Sequence, residues 1–143
     1  KLKIPNFSGI KYTHDNFAEL IKCIEKDNLK WNILNGFDEN LFKVLKLGLF
    51  NAVGSTYNYM CPNYLSMIKD FKAGKIEQAE EKQKKCNDII QIILENGGPI
   101  IAGKAIMKFT GIDCGPCRIP LTKLSEKAIS NLQKALNEKG LFT

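Results

Sequence analysis

The sequence predicts an α/β fold in which helices cover a parallel sheet and a helical region follows it. Strand-like and helix-like segments alternate at intervals of roughly 20 residues over the first half of the chain, as in a parallel sheet with crossover helices. From Ile76 onward, apolar residues recur only at helical spacing. Glycines such as Gly48 and Gly74 end the predicted helices and separate one unit from the next.

Three strands are predicted in the first 74 residues, each followed by a helix. The predicted strands cover residues 7–13, 31–37 and 52–56, and the helices after them cover residues 16–25, 41–47 and a stretch that ends at Gly74. Asp15 is the predicted N-cap of the first helix because a side-chain oxygen there can accept from the first free backbone amides. Three strands alone leave open sheet edges, so we expect them to need a partner.

The second half is predicted to be helical throughout. The predicted helices cover residues 76–96, 99–109 and 124–139. Pro99 suits the first turn of its helix, and Ser125 with Glu126 favours the start of the last one. A glycine-rich loop, TGIDCGPCRIP, separates the last two helices.

Composition excludes several functional classes. The net charge of +6 comes from scattered lysines and a single arginine, Arg118, which predicts a solvated surface and no nucleic-acid partner. No apolar run is long enough to span a membrane. An odd number of cysteines, five, argues against a secreted disulfide framework, so we expect a cytoplasmic protein. The chain starts without methionine or an apolar leader, from which we expect a fragment or a processed product.

Lys11 stands out because it falls inside an apolar predicted strand. A lysine there either reaches solvent or is buried as a neutral amine, and from this residue alone the solvent-reaching interpretation is favoured. A neutral amine attacks ketones to form a Schiff base. Thr13, two residues further on, points to the same face of the strand.

Two more predicted strands end in polar groups. Asp38 and Glu39 follow the second strand, where acids either cap a helix or accept hydrogen bonds from a polyol. The third strand ends in Gly54 and Ser55, which form either a tight turn or a substrate contact. Because parallel strands present their carboxyl ends together, the three ends with Lys11 predict one site.

These residues resemble the dihydrodipicolinate synthase/N-acetylneuraminate lyase family. The resemblance is carried by GIKYT (residues 9–13), GFDE (36–39), GSTYN (54–58), KAIM (104–107) and GIDCGPCRIPL (111–121), and it covers essentially the whole chain. It implies strands six to eight of a (β/α)8 TIM barrel in residues 1–74. Residues 75–143 would form the C-terminal three-helix extension. The pairing of GFDE with GSTYN is more similar to the neuraminate lyases than to the synthase.

The resemblance also implies a reaction and its residues. Lys11 would form the Schiff base with pyruvate, in a reversible cleavage of N-acetylneuraminate to pyruvate and N-acetylmannosamine without a metal or other cofactor. The substrate site implied by the resemblance comprises Thr13, Gly36, Asp38, Glu39, Gly54 and Ser55. Family members are typically homotetramers.

One departure from the family pattern is large. A Gly-Thr/Ser-Thr loop that binds the pyruvate carboxylate and a proton-shuttling tyrosine would both lie on the first five strands, which are absent from this sequence. We therefore expect full activity only with the N-terminal half of the barrel. The alternatives are a dihydrodipicolinate synthase-like or other sugar-acid pyruvate aldolase, and a non-catalytic half-barrel that serves as an interaction module.

Two further motifs are set aside. Residues 114–117, CGPC, repeat the thioredoxin active-site tetrapeptide, but they follow a helix and precede Arg118-Ile119-Pro120, so a loop is favoured over a redox centre. A zinc site is not predicted because no second CxxC exists and the only histidine, His14, is about a hundred residues away.

Overall fold

The structure, a computed structural model, describes residues 4–27 and 31–142. It forms two compact units, Lys1–Gly54 and Ser55–Thr143. In chain order the elements are β1 (Gly9–Tyr12), α1 (Phe17–Asp27), β2 (Asn32–Asn35), α2 (Leu41–Leu45), α3 (Tyr57–Lys72), α4 (Ile76–Glu95), α5 (Gly98–Phe109) and α6 (Glu126–Glu138). A 3-10 turn, Asp38–Asn40, precedes α2.

The first unit contains the parallel pair of β1 and β2. Lys11 is in register with Leu34, and Tyr12 is in register with Asn35. Gly9 lets the two strands approach closely, because a Cβ there would overlap the carbonyl oxygen of Asn32. Side chains alternate between the two faces of the sheet, so one face carries the buried Ile33 and Asn35 and the other carries Lys11.

Two predictions for the first unit are wrong in detail. The third strand over residues 52–56 reduces to a single parallel bridge between Asn35 and Ala52 in the described chain. A short segment with no further neighbour to pair with has nowhere to place additional ladder hydrogen bonds. The N-terminal cap of α1 is Asn16, whose Oδ1 accepts from Glu19 N at 3.2 Å, and not Asp15.

The second unit is a helical assembly with its own apolar core. Its largest fully buried side chains come from all four helices and are Met60, Met67, Cys86, Ile93, Ile106, Leu132 and Leu136. Gly74 ends the α3 region with a positive φ of 75°, a conformation that costs glycine nothing. Ser125 caps α6 as predicted, since its Oγ accepts from Ala128 N at 3.2 Å.

The three helices predicted from residue 76 onward are confirmed, and each of their ends lies within two residues of its predicted position. The packing boundary at Gly54 is earlier than the predicted division after residue 74. The predicted division follows the order of strands and helices in the sequence, whereas the boundary at Gly54 follows packing. It is earlier because α3 packs mainly against α4.

Within the described residues, no single helix has the length and apolar composition of a membrane span. The pair α4 and α5 meets those two criteria only when taken together, and the two helices are bent by 104° at their junction. Both helices contribute side chains to the core of the second unit, including Ile93 and Ile106.

Candidate active site

The ends of β1 and β2 bring Lys11 and Thr13 together over Gly36. A Cβ added at Gly36 would overlap Thr13 Oγ1 and both Cγ and Cε of Lys11. Gly36 N donates to Tyr12 O at 2.8 Å, which fixes the glycine beside the end of β1. Because residue 36 has no side chain, the Lys11 and Thr13 side chains occupy the space that a Cβ would fill.

Asn35 shapes the turn that leaves β2. Its Nδ2 donates to Phe37 O at 2.8 Å, and its Oδ1 accepts from Phe37 N at 3.4 Å. Its backbone also accepts from Val53 N and donates to Asn51 O, both at 2.9 Å. Sequence reasoning missed this residue. The available signal was an asparagine directly before a glycine at a strand end, a pair typical of tight turns.

Asp38 lies in the 3-10 turn after β2 and is buried, with 6% of its surface exposed. A Cβ at Gly54 would overlap the Asp38 carboxylate, including both of its oxygens. Gly54 therefore leaves room for a buried carboxylate. The neighbouring Glu39 is only half-buried.

Six of the seven predicted site residues lie in the first unit, and five of them form two close groups. Lys11, Thr13 and Gly36 make the first group, and Asp38 and Gly54 make the second. Glu39 follows Asp38 in the same 3-10 turn. Ser55 is exposed and begins the second unit, so its position is described only within that unit.

Lys11 is exposed, which agrees with the solvent-reaching interpretation that this residue alone favours. The face of the sheet that carries it is uncovered in the described part of the chain, where Thr13 is exposed as well. Lys11 lines an open pocket of about 590 Å³, and Leu34 and Phe50 line the same pocket.

Tyr12 and His14 face other partners. Tyr12 Oη donates to Asn16 O at 2.7 Å. Partial burial, followed by the nearby Glu19 carboxylate, raises the pKa of the Tyr12 phenol. A phenol with a raised pKa remains protonated at neutral pH, which suits a structural hydrogen bond. His14 Nδ1 accepts from Asn16 N at 2.9 Å and is also 3.2 Å from Asp15 Oδ1, at the exposed start of α1.

Across residues 4–27 and 31–142, no group of three or more His, Cys, Asp or Glu side chains is arranged to hold a metal ion. All five cysteines are free thiols. Burial raises the pKa of the Cys86 thiol to about 11, which keeps it protonated and unreactive in the helical core.

This geometry has counterparts in known proteins. The chain belongs to the dihydrodipicolinate synthetase family, which it matches over residues 2–139. N-acetylneuraminate lyase of Rattus norvegicus is 32% identical to it over 143 residues, which is 99% of this chain and 45% of the rat protein. The motif resemblance found in the sequence is therefore confirmed.

Solved structures of related enzymes match the fold of this chain. N-acetylneuraminate lyase (sialic acid aldolase) of Aliivibrio salmonicida superposes with a TM-score of 0.91 at 31% identity, over 98% of this chain and 46% of that one. The Fusobacterium nucleatum enzyme in complex with pyruvate gives a TM-score of 0.84 at 32% identity, over 94% of this chain and 45% of that one. The α/β class is confirmed, and the chain spans about half the length of the relatives that it matches.

Proposed function

We propose that this chain carries the Schiff-base part of a class I aldolase that reversibly cleaves N-acetylneuraminate to pyruvate and N-acetylmannosamine. The observation that carries the proposal is the convergence of Lys11 and Thr13 over Gly36, at the carboxyl ends of two parallel strands. Active groups of barrel enzymes lie at that end of the strands. The relatives named as N-acetylneuraminate lyases support the choice of substrate.

In the proposed reaction, the Lys11 amine attacks the ketone carbon of the open-chain sugar acid, and water leaves to give an iminium ion. The bond between the α carbon, next to the iminium carbon, and the hydroxyl-bearing β carbon then breaks. Its electron pair moves into the iminium to form an enamine, while the hydroxyl proton passes to a base and N-acetylmannosamine leaves. Protonation of the enamine and hydrolysis release pyruvate and regenerate the amine.

The other site residues have binding roles in this proposal. Thr13 Oγ1 lies beside the Lys11 side chain and would hydrogen-bond the pyruvate part of the substrate. Asp38, Glu39 and Ser55 would accept hydrogen bonds from the polyhydroxyl tail. Gly36 leaves space for the Lys11 and Thr13 side chains, and Gly54 leaves space for the Asp38 carboxylate. Asn35 acts as a positioning residue, because its side chain shapes the turn that leads to Asp38.

The proposed active form contains more than this chain. Its relatives are about twice as long, and the Lys11 face is exposed. We assign residues 1–74 to strands six to eight of a (β/α)8 barrel and residues 75–143 to the C-terminal extension. An N-terminal half would cover Lys11, bind the pyruvate carboxylate and supply the proton-transferring group. A cytoplasmic homotetramer that needs no metal completes the proposal.

Complementation tests this function. The chain is co-expressed with the N-terminal half of the Aliivibrio salmonicida relative, and pyruvate release from N-acetylneuraminate is measured. We expect activity from the pair, none from either part alone, and a loss of at least about 1,000-fold with Lys11→Met, as for removal of a covalent nucleophile. Lys22→Met, which removes an exposed lysine from α1, is the matched control and should leave the rate unchanged. An active Lys11→Met pair would refute the assignment.

The uncovered sheet supports a second candidate, a non-catalytic half-barrel that binds a partner. In the described residues β1 pairs only with β2, which leaves a backbone edge open to another strand. The two candidates differ in the complementation assay. A complex that forms at the expected size but never releases pyruvate, from N-acetylneuraminate or from other sugar acids, would favour the interaction module.

A further inference from the structure

The CGPC segment, residues 114–117, takes no part in the proposed aldolase chemistry. It lies in the loop between α5 and α6, within the second unit, and has no helical or strand structure. Cys114 is exposed and Cys117 is half-buried, and both are free thiols. The segment therefore offers two accessible thiols separated by only two residues.

Lys104 of α5 organises this segment. Its ammonium donates to Cys114 O at 3.0 Å and to Pro116 O at 2.8 Å, and Gly115 O is 3.4 Å away. Three successive carbonyl groups thus converge on one nitrogen, so the backbone of the segment curves around it. An extended segment of this length would span about 10 Å, whereas a disulfide requires Cα atoms roughly 4.4–6.8 Å apart. The curvature acts in the direction that disulfide closure needs.

Two neighbouring contacts reinforce the curved loop. Gly115 has a positive φ of 68°, and its amide donates to Asp113 Oδ1 at 2.8 Å. Lys108, one turn after Lys104 on α5, places its ammonium 3.3 Å from Asp113 Oδ2. Two successive lysines of one helix therefore tether the loop on both sides of Cys114.

Cys117 lines a cavity of about 280 Å³ that carries positive charge. Its charged lining residues are Lys104, Lys108, Lys123 and Asp113, an excess of two positive charges. Cys114 does not line this cavity. A small anionic reagent is thus attracted to the side of the loop on which Cys117 lies.

We propose that Cys114 and Cys117 form a reversible intramolecular disulfide, by exchange with an anionic low-molecular-weight disulfide such as glutathione disulfide. The Cys117 thiolate attacks one sulfur of the reagent, whose sulfur–sulfur bond breaks and releases one thiol. Cys114 then attacks the Cys117 sulfur of the mixed disulfide and releases the second thiol. The protein loses two electrons and two protons, and the reagent takes up both.

The order of attack is tested by mass spectrometry of the full chain after incubation with glutathione disulfide. Wild-type protein should lose two hydrogens through a Cys114–Cys117 link and retain no glutathione there. Cys114→Ser should retain glutathione on Cys117, and Cys117→Ser should retain several-fold less on Cys114. Exposed Cys61 serves as an internal reference for a thiol without a neighbour. Glutathione retained on Cys117 of the wild-type chain, without a link, would overturn the proposal.

The role of the loop is tested with Lys104→Met, which removes the ammonium and keeps the length of the side chain. We expect link formation to slow about tenfold, as for the loss of charge-assisted hydrogen bonds. Lys84→Met on α4, an exposed lysine near Glu80, is the control and should close at the wild-type rate. Equal rates for the two variants, with unchanged helical circular dichroism, would show that the loop geometry does not promote closure.

Discussion

The two units of the chain differ in how completely they bury their side chains and pair their backbone hydrogen-bonding groups. The helical unit has residues such as Ile106 and Leu136 with no exposed surface. The sheet unit buries Ile33 on one face and exposes Lys11 and Thr13 on the other. A helix makes its hydrogen bonds internally, whereas a strand needs neighbours on both edges. The proposed chemistry thus resides on the part of the molecule whose packing is least complete.

Shortening one apolar side chain in each unit should reveal this difference most strongly. Ile106→Ala removes a fully buried side chain from α5 and should lower the free energy of unfolding by about 2–5 kcal/mol. Leu34→Ala, at a half-buried position of β2, should cost less than about 1.5 kcal/mol because less surface returns to water.

Urea unfolding measures both variants with separate probes. Circular dichroism at 222 nm follows mainly the helices, and fluorescence of Trp31, the only tryptophan, follows the sheet unit. Equal losses for Ile106→Ala and Leu34→Ala would contradict the contrast between the units.

Glycine substitution should separate the site from the core. Gly36→Ala forces the side chains of Lys11 and Thr13 apart, so pyruvate release by the complemented enzyme should fall at least about tenfold. Gly103→Ala is the matched control, because its new Cβ would meet only Tyr59 atoms, at 3.8 and 3.9 Å. It should keep full activity and gain up to about 1 kcal/mol of stability from helix propensity. A fully active Gly36→Ala enzyme would argue against the geometry at Lys11.

The cap of α6 should contribute less. Ser125→Ala removes the oxygen that accepts from Ala128 N, and we expect a loss of about 1 kcal/mol in the free energy of unfolding. Circular dichroism during thermal unfolding measures it. Ser130→Ala, at an exposed position in the middle of α6, should have little or no destabilising effect.

The smallest expected effect is a pH dependence between α3 and α4. A hydrogen bond from Lys82 lowers the pKa of the Asp70 carboxyl. The lowered native pKa means that this pair stabilises the fold above the ordinary aspartate pKa of about 3.9, and that the contribution is lost as the pH falls through the lowered value. Urea unfolding at a series of pH values should therefore show that stability falls less steeply from pH 5 to pH 2 in Asp70→Asn than in the wild-type chain.

The helices were predictable because their signals are local. Apolar spacing, Ser125 and Gly74 fixed α3 to α6 without knowledge of their neighbours. The third strand was overpredicted because a strand pattern at residues 52–56 reports β propensity and burial, not the presence of a partner for its hydrogen bonds.

The position of Lys11 and Thr13 on one face of the strand was predictable, whereas the surroundings of that face were not. Strand alternation placed Lys11 and Thr13 on one face, and the structure confirms that their side chains meet over Gly36. Whether Lys11 is buried could not be predicted from the same pattern, because burial depends on what covers that face of the sheet. The Asn35-Gly36 pair indicates a turn in the sequence, but the two hydrogen bonds between the Asn35 side chain and the Phe37 backbone do not follow from it.

Borohydride trapping tests directly whether Lys11 forms the Schiff base with pyruvate. The complemented chain is incubated with pyruvate and sodium borohydride, digested, and searched for a reduced pyruvyl adduct by peptide mass spectrometry. We expect a single adduct, on Lys11, that is lost in Lys11→Met and retained in Lys22→Met. An adduct on another lysine, or none on Lys11 while the complemented enzyme releases pyruvate from N-acetylneuraminate, would contradict it.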